Sequence, residues 1–333
     1  MSIKISILVV NYNTKEYIVR CIESIFASNI DKSQYEILVW DNNSTDGSVE
    51  LIKSTYPDVK LFKASYNYGF AVGMNKLYAA SSGELIMTFN PDAEVEPNTL
   101  ESVIAFMNEH TLTGMMGMSV KNTQELVEIP FSDMPRFDKM QLFKLKQEQN
   151  NTLPDKPFAV NYIWGTGIVV RRELLGDQFF EERAFLFWEE YDLAKKIKRQ
   201  NVQIMILPSI TFIHHASVSF KFNKERTRIT RSLSVAWAYF YKKKEFGVFS
   251  AKIQTLSWMF DNGILASVLG IKNLFSPNDS RKLMIVQYNS VFKTALRLLF
   301  AGNKAVFNIN KNSARQLNGG LNPVYPPVFE SIL

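Results

Sequence analysis

The chain begins with a series of short apolar runs, and polar residues follow each run directly. The first four runs are Ile3 to Val10, Tyr35 to Trp40, Val59 to Phe62 and Leu85 to Phe89. They are too continuous for a sheet with one wetted face and are typical of parallel strands buried on both sides. Between them, apolar residues recur with helical spacing. The pattern predicts an α/β domain with a mostly parallel sheet flanked by helices.

Length and charge divide the chain into two regions. Its 333 residues exceed the roughly 150 of a typical single domain. Residues 221–333 hold 17 Lys and Arg against 5 Asp and Glu, a net charge of +12, whereas the remainder has a net charge of −6. We predict an α/β domain over residues 1–225 and a basic, aromatic-rich helical region over residues 226–333.

Cysteine content and apolar segments bear on localisation. Cys21 is the only cysteine, which excludes a disulfide framework and a thiolate zinc site and favours a reducing compartment. The apolar start runs into Asn11 without a small-residue cleavage site, so it predicts a strand and not a signal peptide. Other apolar stretches fall short of the ~20 residues of a transmembrane helix. A cytoplasmic location is expected.

Several enzyme classes lack their signature. No Gly-x-Gly-x-x-Gly follows the first strand, and the chain contains neither a Walker A sequence nor a Gly-x-Ser-x-Gly elbow. Dehydrogenase, P-loop and serine hydrolase functions are therefore disfavoured.

Polar clusters follow the predicted strands, where ligands bind in open α/β sheets. They are Asn11 to Asn13, Asp41 to Ser48, Asn67 to Asn75 and Asn90 to Asp92. Taken singly, each has a plainer explanation, because Asp, Asn, Ser and Gly favour turns and helix caps. Their joint occurrence after successive strands favours one site at one edge of the sheet.

With these clusters, the chain resembles family 2 inverting glycosyltransferases of the GT-A fold, and most of all the bacterial rhamnosyltransferase-type members that build surface polysaccharides. The matching segments are Val9 to Asn13, Trp40 to Ser48, Asn67 to Asn75, Asn90 to Asp92, Gly165 to Gly167 with Arg171 and Arg172, Trp188 to Leu193, and His214 with His215. They occur in the family's order across about residues 3–220. The C-terminal third matches only loosely.

The resemblance implies a nucleotide-sugar site. Asp41 would accept a hydrogen bond from a pyrimidine imide, with Asn11 and Asn13 lining the base and ribose pocket. Glycines such as Gly69 and Gly73 would let the backbone approach the nucleotide, because a Cβ would block that approach. The residues assigned to donor binding are Val10, Asn11, Asn13, Asp41, Asn43, Asn67, Gly69, Gly73, Asn75, Asn90, Pro91, Asp92, Gly165, Thr166 and Gly167. A bulge in an edge strand explains the last glycines equally well.

The resemblance also implies a divalent cation, Mn²⁺ or Mg²⁺, that bridges diphosphate oxygens. Asn90 replaces the first carboxylate of the family's usual Asp-x-Asp, which leaves Asp92 as the stronger ligand and His214 as the second. With one carboxylate fewer, we expect metal binding that depends on bound nucleotide. Alternatively, His214 and His215 are a strand-end pair with a structural role.

An inverting transfer needs a base that deprotonates the acceptor hydroxyl. Three carboxylates follow Trp188, and the resemblance places the base at Glu190. Glu189 would then orient the base, and Asp192 would contact the acceptor or begin the helix. The plainer alternative is that all three favour the positive end of a helix dipole. Trp164 would stack on the acceptor.

The basic C-terminal region predicts further partners. Lys242 to Lys244 lie beside the aromatic residues Trp237 and Tyr239 to Tyr241, a combination that fits an anionic bilayer surface. A homodimer surface or a plain protein core is the alternative, and nothing resembles a nucleic-acid reader. Lys221 and Arg226 either reach the diphosphate or are solvated.

The expected function is therefore inverting, metal-assisted transfer of a sugar, best assigned as rhamnose from dTDP-rhamnose, to a growing surface glycan or lipid-linked acceptor. The enzyme would be peripheral on the inner face of the plasma membrane. Two alternatives remain. One is a UDP-sugar donor, and the other is a non-catalytic subunit of a glycan-assembly complex, in which Asn90 would reflect the loss of a catalytic metal site. The presence of Asp92, Glu190 and His214 argues against the second.

Overall fold

A computed structural model of the chain contains one large mixed β-sheet, helices on both of its faces and a long helical region at the C-terminus. It describes residues 3–122, 127–128, 130–132, 154–163, 165–183, 185–215, 224–323 and 329–331. Trp164 and Lys221, both named from the sequence, lie outside these residues.

The strands and helices follow the order expected of an α/β domain. The strands are β1 (Ile5–Asn11), β2 (Tyr35–Asp41), β3 (Lys60–Ala64), β4 (Leu85–Phe89), β5 (Ala93–Val95), β6 (Thr113–Lys121), β7 (Val127–Glu128), β8 (Phe131–Ser132), β9 (Phe158–Ala159), β10 (Tyr162–Ile163), β11 (Ile168–Arg171), β12 (Gln203–His214) and β13 (Phe329–Ser331). The helices are α1 (Lys15–Phe26), α2 (Ser48–Thr55), α3 (Phe70–Ala80), α4 (Thr99–Glu109), α5 (Glu189–Lys198), α6 (Lys224–Phe275) and α7 (Asp279–Leu317). Short 3₁₀ turns cover Lys32–Gln34 and Arg172–Leu174.

The main sheet has the strand order β13-β3-β2-β1-β4-β11-β6-β12-β5. β1 is parallel to β2 and β4, and β2 is parallel to β3. Parallel pairing brings the carboxyl ends of these strands to one edge, and Asn11 lies in register with Asp41 there. β11 is antiparallel between β4 and β6, so the sheet is mixed. The predicted α/β sheet with flanking helices and a helical C-terminal region is confirmed.

Side chains of β1 alternate between two cores, as the period of a strand requires. Ile7 and Val9 pack with Ile18 of α1 on one face. Leu8 belongs to the other core, which also contains Trp237 of α6. Both faces of the strand are therefore buried, which explains its continuous apolar sequence.

The C-terminal helices cover one face of the sheet with the aromatic residues that the sequence suggested for a bilayer. Trp237, Tyr239 and Tyr241 are at most 1% exposed, and Lys242 is 3% exposed. That expectation is wrong for these residues, because side chains buried in the protein core cannot lie on a membrane. The division of the chain near residue 225 stays a prediction.

Beyond the core, the two helices form an antiparallel hairpin. Gly247 interrupts α6 and Gly302 interrupts α7, both with positive φ angles. The α6 arm after Gly247 exposes a stripe of apolar side chains at spacings of three and four residues. The stripe consists of Phe260, Ile264, Val268, Ile271 and Phe275. Within the described ranges, no helix is both long and apolar enough to cross a bilayer.

Candidate active site

Two adjoining cavities lie at the sheet edge where the carboxyl ends of the central strands meet. The first, called here the Asp92 cavity, has a volume of about 370 Å³, and the second, the Glu190 cavity, has a volume of about 500 Å³. They share Phe70, Asn90 and Leu186. Asn90 thus stands between a space that contains Asp92 and a space that contains Glu190.

Two groups suited to a divalent cation meet in the Asp92 cavity. Nε2 of His214 lies 3.2 Å from Oδ1 of Asp92 and 3.4 Å from Nδ2 of Asn90. Carboxylate oxygen and imidazole nitrogen both bind Mn²⁺, and carboxylates suit Mg²⁺. No cluster of three or more His, Cys, Asp or Glu suited to a metal occurs among the described residues. Among the described residues, Asp92 and His214 are therefore the groups that would hold such a cation.

His215 occupies a different position from His214. Its Nε2 lies 2.6 Å from Oε1 of Glu94, and its backbone N–H donates to the carbonyl of Asp92 at 2.9 Å. Only His214 of the pair lines the Asp92 cavity. The two histidines are thus structurally distinct.

The Gly165 to Gly167 segment holds the backbone of Asn90 through a hydrogen bond. The hydroxyl of Thr166, which is 3% exposed, accepts the backbone N–H of Asn90 at 2.7 Å. Gly167 has a φ of 74°, and a Cβ there would lie 2.5 Å from the ring of Phe212. Gly165 lines the Glu190 cavity, whereas Thr166 and Gly167 lie outside the lining of both cavities.

An unusual backbone conformation begins the helix that carries the acidic residues. Phe187 and Trp188, directly before α5, have φ angles of 77° and 73°. Two consecutive non-glycine residues in the left-handed region cost roughly 1–3 kcal/mol each. Contacts with α6 hold them, since the Trp188 indole donates to the carbonyl of Ser234 at 3.0 Å and stacks on Tyr241. Glu189 and Glu190, which follow directly, line the Glu190 cavity.

Glu189 and Glu190 form a coupled acidic pair. Burial, and then the charge of Glu190, raises the pKa of Glu189 well above its usual value, and Oε1 of Glu189 has no hydrogen-bond partner among the described residues. Burial also raises the pKa of Glu190, although the backbone N–H of Gly165, 3.3 Å from its Oε1, works in the opposite direction. Glu189, whose pKa is raised further, therefore holds a proton more tightly than Glu190 does. A carboxylate with a raised pKa is also a stronger base.

Asp192 points elsewhere. Its Oδ2 accepts the hydroxyl of Tyr241 at 2.8 Å, and burial with the nearby Asp192 charge raises the pKa of that phenol. It lines neither cavity. The contact anchors α5 to α6.

The Asn11–Asp41 pair does not line the Asp92 cavity, although Val10 and Asn42, next to it in the chain, do. Asn11 donates to Oδ2 of Asp41 at 2.7 Å and to the hydroxyl of Ser48 at 2.9 Å. Oδ1 of Asp41 accepts the backbone N–H of Ser44 at 2.8 Å. Both Asn11 and Asp41 are fully buried, and burial raises the pKa of Asp41. The pair fixes the loop that follows β2.

Asn13 and Asn43 shape the same loop with left-handed φ angles of 54° and 64°. Oδ1 of Asn13 accepts the backbone N–H of Thr45 at 2.8 Å. Asn42 rather than Asn43 lines the Asp92 cavity, together with the predicted Val10 and Pro91. Sequence reasoning missed Asn42, because three consecutive polar residues gave no sign of which one faces the cavity.

Gly69 and Gly73, predicted to let the backbone approach a nucleotide, lie where a Cβ would collide with other atoms of the protein. A Cβ at Gly69 would lie 2.2 Å from the carbonyl oxygen of Phe185, and one at Gly73 would lie 2.7 Å from Trp40. Gly69 and Asn67 line the Asp92 cavity, whereas Gly73 does not. Gly73 thus allows close approach of α3 to the sheet, a different use from the nucleotide contact expected.

Asn75 also acts within the protein. Its amide donates to the carbonyl of Phe180 at 2.9 Å and accepts the backbone N–H of the same residue at 2.8 Å. It lines neither cavity. It joins α3 to the segment that leads to Phe185 and Leu186.

The C-terminal helices supply part of the cavity wall. Arg226, Ile229 and Thr230 of α6 and Leu317 of α7 line the Asp92 cavity. Only Arg226 had been named from the sequence, on the strength of its charge, and it lies in α6. The other three carry no local signal, because their role arises from long-range packing.

Comparison with known proteins identifies the family. The family model "Glycosyl transferase family 2" matches residues 6–179, just over half of the chain. The chain belongs to glycosyl transferase family 2. The predicted family is therefore confirmed, and membership supports a transferase.

Two relatives illustrate the similarity within the family. N-acetylglucosaminyl-diphospho-decaprenol L-rhamnosyltransferase of Mycobacterium tuberculosis is 22% identical over 239 residues, which cover 64% of this chain and 76% of the relative. A dolichyl N-acetyl-alpha-D-glucosaminyl phosphate 3-beta-D-2,3-diacetamido-2,3-dideoxy-beta-D-glucuronosyltransferase of Methanococcus voltae is 22% identical over 285 residues, 80% of each chain.

Solved structures share the fold of this glycosyltransferase. The mannosyltransferase PcManGT of Pyrobaculum calidifontis, solved with GDP-Man and Mn²⁺, has a TM-score of 0.54 at 14% identity, with 90% of this chain and 88% of that chain covered. Residues 1–349 of Staphylococcus aureus TarS give a TM-score of 0.50 at 15% identity, with 97% and 95% covered. The GT-A fold expected from the sequence is confirmed.

Proposed function

We propose that the protein is an inverting, metal-assisted hexosyltransferase that moves a sugar from a nucleotide donor to a growing bacterial surface polysaccharide or lipid-linked acceptor. The observation that carries the proposal is the position of Asn90 between two cavities. Asp92 and His214 lie on one side, and Glu190 lies on the other. A donor sugar beside Asn90 would have its diphosphate toward the first pair and its anomeric carbon toward the base.

The Asp92 cavity is proposed to hold the donor. Asp92 and His214 would bind Mn²⁺ or Mg²⁺, which stabilises the negative charge of the departing nucleoside diphosphate. Arg226 would add a positive charge to the same group. Val10, Asn42 and the Asn67 to Gly69 turn would then face the nucleoside.

The pyrimidine contact proposed for Asp41 requires a local rearrangement. Both carboxylate oxygens of Asp41 already accept hydrogen bonds, from Asn11 and from Ser44. An imide N–H would have to share or displace one of them. Asn43 would adjust with the loop because it lies in it, and Asn13 would adjust because its side chain accepts the backbone N–H of Thr45.

The Glu190 cavity is proposed to hold the acceptor. Glu190 takes the proton of the acceptor hydroxyl as its oxygen bonds to the anomeric carbon. The bond between that carbon and the phosphate oxygen breaks on the opposite face, and the electron pair leaves with the nucleoside diphosphate. Attack opposite to the leaving group inverts the anomeric configuration. Glu189, protonated beside it, adds no second negative charge.

The donor sugar is proposed from the relatives. Rhamnose from dTDP-rhamnose is favoured by the similarity to the rhamnosyltransferase of M. tuberculosis. A UDP-sugar is the second candidate, because TarS has also been solved with UDP, at a TM-score of 0.50. A non-catalytic subunit is disfavoured, since Asp92, His214 and Glu190 all line the paired cavities.

Association with the inner face of the plasma membrane is proposed for the hairpin of α6 and α7. Its stripe from Phe260 to Phe275 extends for about 23 Å along the helix. Exposed apolar stripes of this size mark interaction surfaces. Anionic lipid is favoured as the partner by the net charge of +12 in residues 221–333. A homodimer through the same stripe is the alternative.

The test is a donor panel of dTDP-rhamnose and several UDP-sugars, each with and without Mn²⁺ and with a lipid-linked glycan acceptor. Release of nucleoside diphosphate should be greatest with dTDP-rhamnose and should depend on metal. NMR of the product should show an anomeric configuration opposite to that of the donor. Release from none of the donors, or a product with retained configuration, would refute the proposal.

A further inference from the structure

A third cavity lies between the two C-terminal helices. Its volume is about 890 Å³, larger than either cavity of the candidate active site. Its walls come from the start of α6 and from two segments of α7, near residues 286–297 and 309–316. The hydroxyl of Thr294, 2% exposed, donates to that of Ser232 at 3.0 Å and links the two helices at this cavity.

Positive charge dominates the lining of this third cavity. Arg228, Lys293, Arg297 and Arg315 contribute cations, and Glu225 is the only carboxylate among the described residues that line it. Oε1 of Glu225 lies 3.9 Å from the Arg228 guanidinium. Lys293 and Arg297, one helical turn apart, make no ion pair with a carboxylate in the part of the chain that the structure describes. Like charges held around one cavity repel each other, and a bound anion would relieve that repulsion.

Neutral hydrogen-bond donors complete the lining. The hydroxyl of Ser313, a residue that is 4% exposed, has no hydrogen-bond partner among the described residues. The amides of Asn289, Asn312 and Gln316 lie around the same space. Guanidinium groups together with amide and hydroxyl donors bind phosphate oxygens strongly, and they offer little to an uncharged sugar.

The third cavity and the Asp92 cavity lie on neighbouring faces of α6 and share one lining residue. Arg226 and Thr230, four residues apart, face the Asp92 cavity, whereas Glu225, Arg228 and Ser232 face the third. Ile229, which is 4% exposed, lines both cavities. The two cavities therefore adjoin at Ile229.

From this arrangement we infer that the third cavity binds the phosphate groups of an anionic acceptor while its sugar end reaches the candidate active site. The inference rests on the proposed function, and it specifies the acceptor class as phosphate-bearing. Arg228 and Arg315 bind the phosphate from opposite helices, and Lys293 and Arg297 bind it from the middle of α7.

Calorimetry with inorganic pyrophosphate in metal-free buffer tests the cavity on the full chain. The K293Q/R297Q double variant removes two charges from the cavity, and the K304Q/K311Q double variant removes two exposed charges from α7 outside it. We expect pyrophosphate affinity to fall by about tenfold or more in the first and to stay within about twofold in the second. Binding of dTDP with Mn²⁺ should be unchanged in both.

Three results would overturn the inference: no pyrophosphate binding by the natural chain, no loss in K293Q/R297Q, or an equal loss in the control, which would indicate general charge attraction. Flotation with phosphatidylcholine vesicles, with and without phosphatidic acid, separates the sources of phosphate. Loss of the phosphatidic acid effect in K293Q/R297Q alone assigns a lipid headgroup. Pyrophosphate binding without that effect assigns a soluble phosphate.

Transfer assays separate this inference from the proposed function. K293Q/R297Q should raise the KM for a phosphate-bearing acceptor and leave kcat and the donor KM unchanged. An unchanged acceptor KM in an active enzyme would overturn the acceptor role of the cavity alone. Absence of nucleotide release by the natural chain would instead overturn the proposed function and the acceptor role with it.

Discussion

The side-chain amide of Asn318 binds both polar groups of the Asn67 backbone: it accepts the N–H at 2.6 Å and donates to the carbonyl at 2.9 Å. Asn310 makes a similar pair, accepting the N–H of Phe185 at 3.1 Å and donating to the carbonyl of Arg183 at 2.9 Å. Asn67 and Phe185 both line the Asp92 cavity. The end of α7 thus fixes two loops that line the Asp92 cavity.

Asn318→Ala should weaken donor binding by removing this support. Two hydrogen bonds contribute about 1–3 kcal/mol in total, so dTDP or UDP affinity should fall by roughly fivefold to a hundredfold. Calorimetry with Mn²⁺ measures the change. The exposed Asn308→Ala on the same helix is the control and should bind as the natural chain does. Equal affinities of the two variants would show that the contact does not position the loop.

Glu189→Gln should change how stability depends on pH. The pKa of Glu189 in the folded protein is raised well above 4.5, so the folded state keeps a proton that the unfolded state loses. The unfolding free energy contributed by Glu189 is complete below pH 4.5 and is lost as pH rises through the raised pKa.

The glutamine variant lacks this loss. Above pH 4.5 its unfolding free energy should fall less with rising pH than that of the natural chain. Urea unfolding at several pH values measures the difference. The exposed Glu173→Gln serves as a control and should follow the natural profile. Parallel profiles for all three proteins would contradict a buried, protonated Glu189.

His214→Ala should abolish metal-dependent nucleotide binding. His214 faces the Asp92 cavity, whereas His215 pairs with Glu94, so His215→Ala should keep that binding. Titration of each variant with dTDP, in the presence and absence of Mn²⁺, compares the two. The empty protein should bind Mn²⁺ only weakly, since a single carboxylate and one imidazole leave most of its coordination to the nucleotide. Tight Mn²⁺ binding without nucleotide would refute this account.

Leu274→Ser combined with Phe275→Ser should weaken binding to anionic vesicles at least threefold. The two side chains are 79% and 86% exposed, and each apolar group inserted into a bilayer adds to binding. Co-sedimentation with anionic and neutral vesicles measures it. Leu112→Ser, at a site 66% exposed beyond α4, is the control and should bind unchanged. Sedimentation that does not depend on lipid charge would show that the stripe does not bind anionic lipid. Loss of a dimer instead of vesicle binding would assign the stripe to a homodimer.

The residues of the candidate site show which parts of it can be predicted from local sequence patterns. Buried strands and polar strand ends are local patterns, and they predicted Asn90 and Asp92 at the sheet edge, whereas His214 was assigned through the family resemblance. The hydrogen bonds between Asn11 and Asp41 join residues 30 positions apart, so no local pattern indicates that the two bind each other rather than a ligand. Gly73 likewise packs on Trp40.

The contribution of α6 and α7 to the core and to the Asp92 cavity could not be predicted from the sequence for a related reason. Trp237 and Tyr241 have the aromatic and basic neighbours of a membrane surface, yet they pack in the core. Ile229 and Leu317 reach the Asp92 cavity through the packing of α6 and α7 against the sheet. Composition reveals charge, but it does not reveal which face of a helix meets the sheet.

Transfer by Glu190→Gln tests the central claim most directly. Single-turnover rates should be measured for this variant and for Glu189→Gln, with donor affinity determined separately. We predict that Glu190→Gln binds donor normally and transfers sugar about 10²–10⁴-fold more slowly, because the base is lost, whereas Glu189→Gln retains most of the rate. A Glu190→Gln enzyme that transfers at nearly the natural rate would contradict the account.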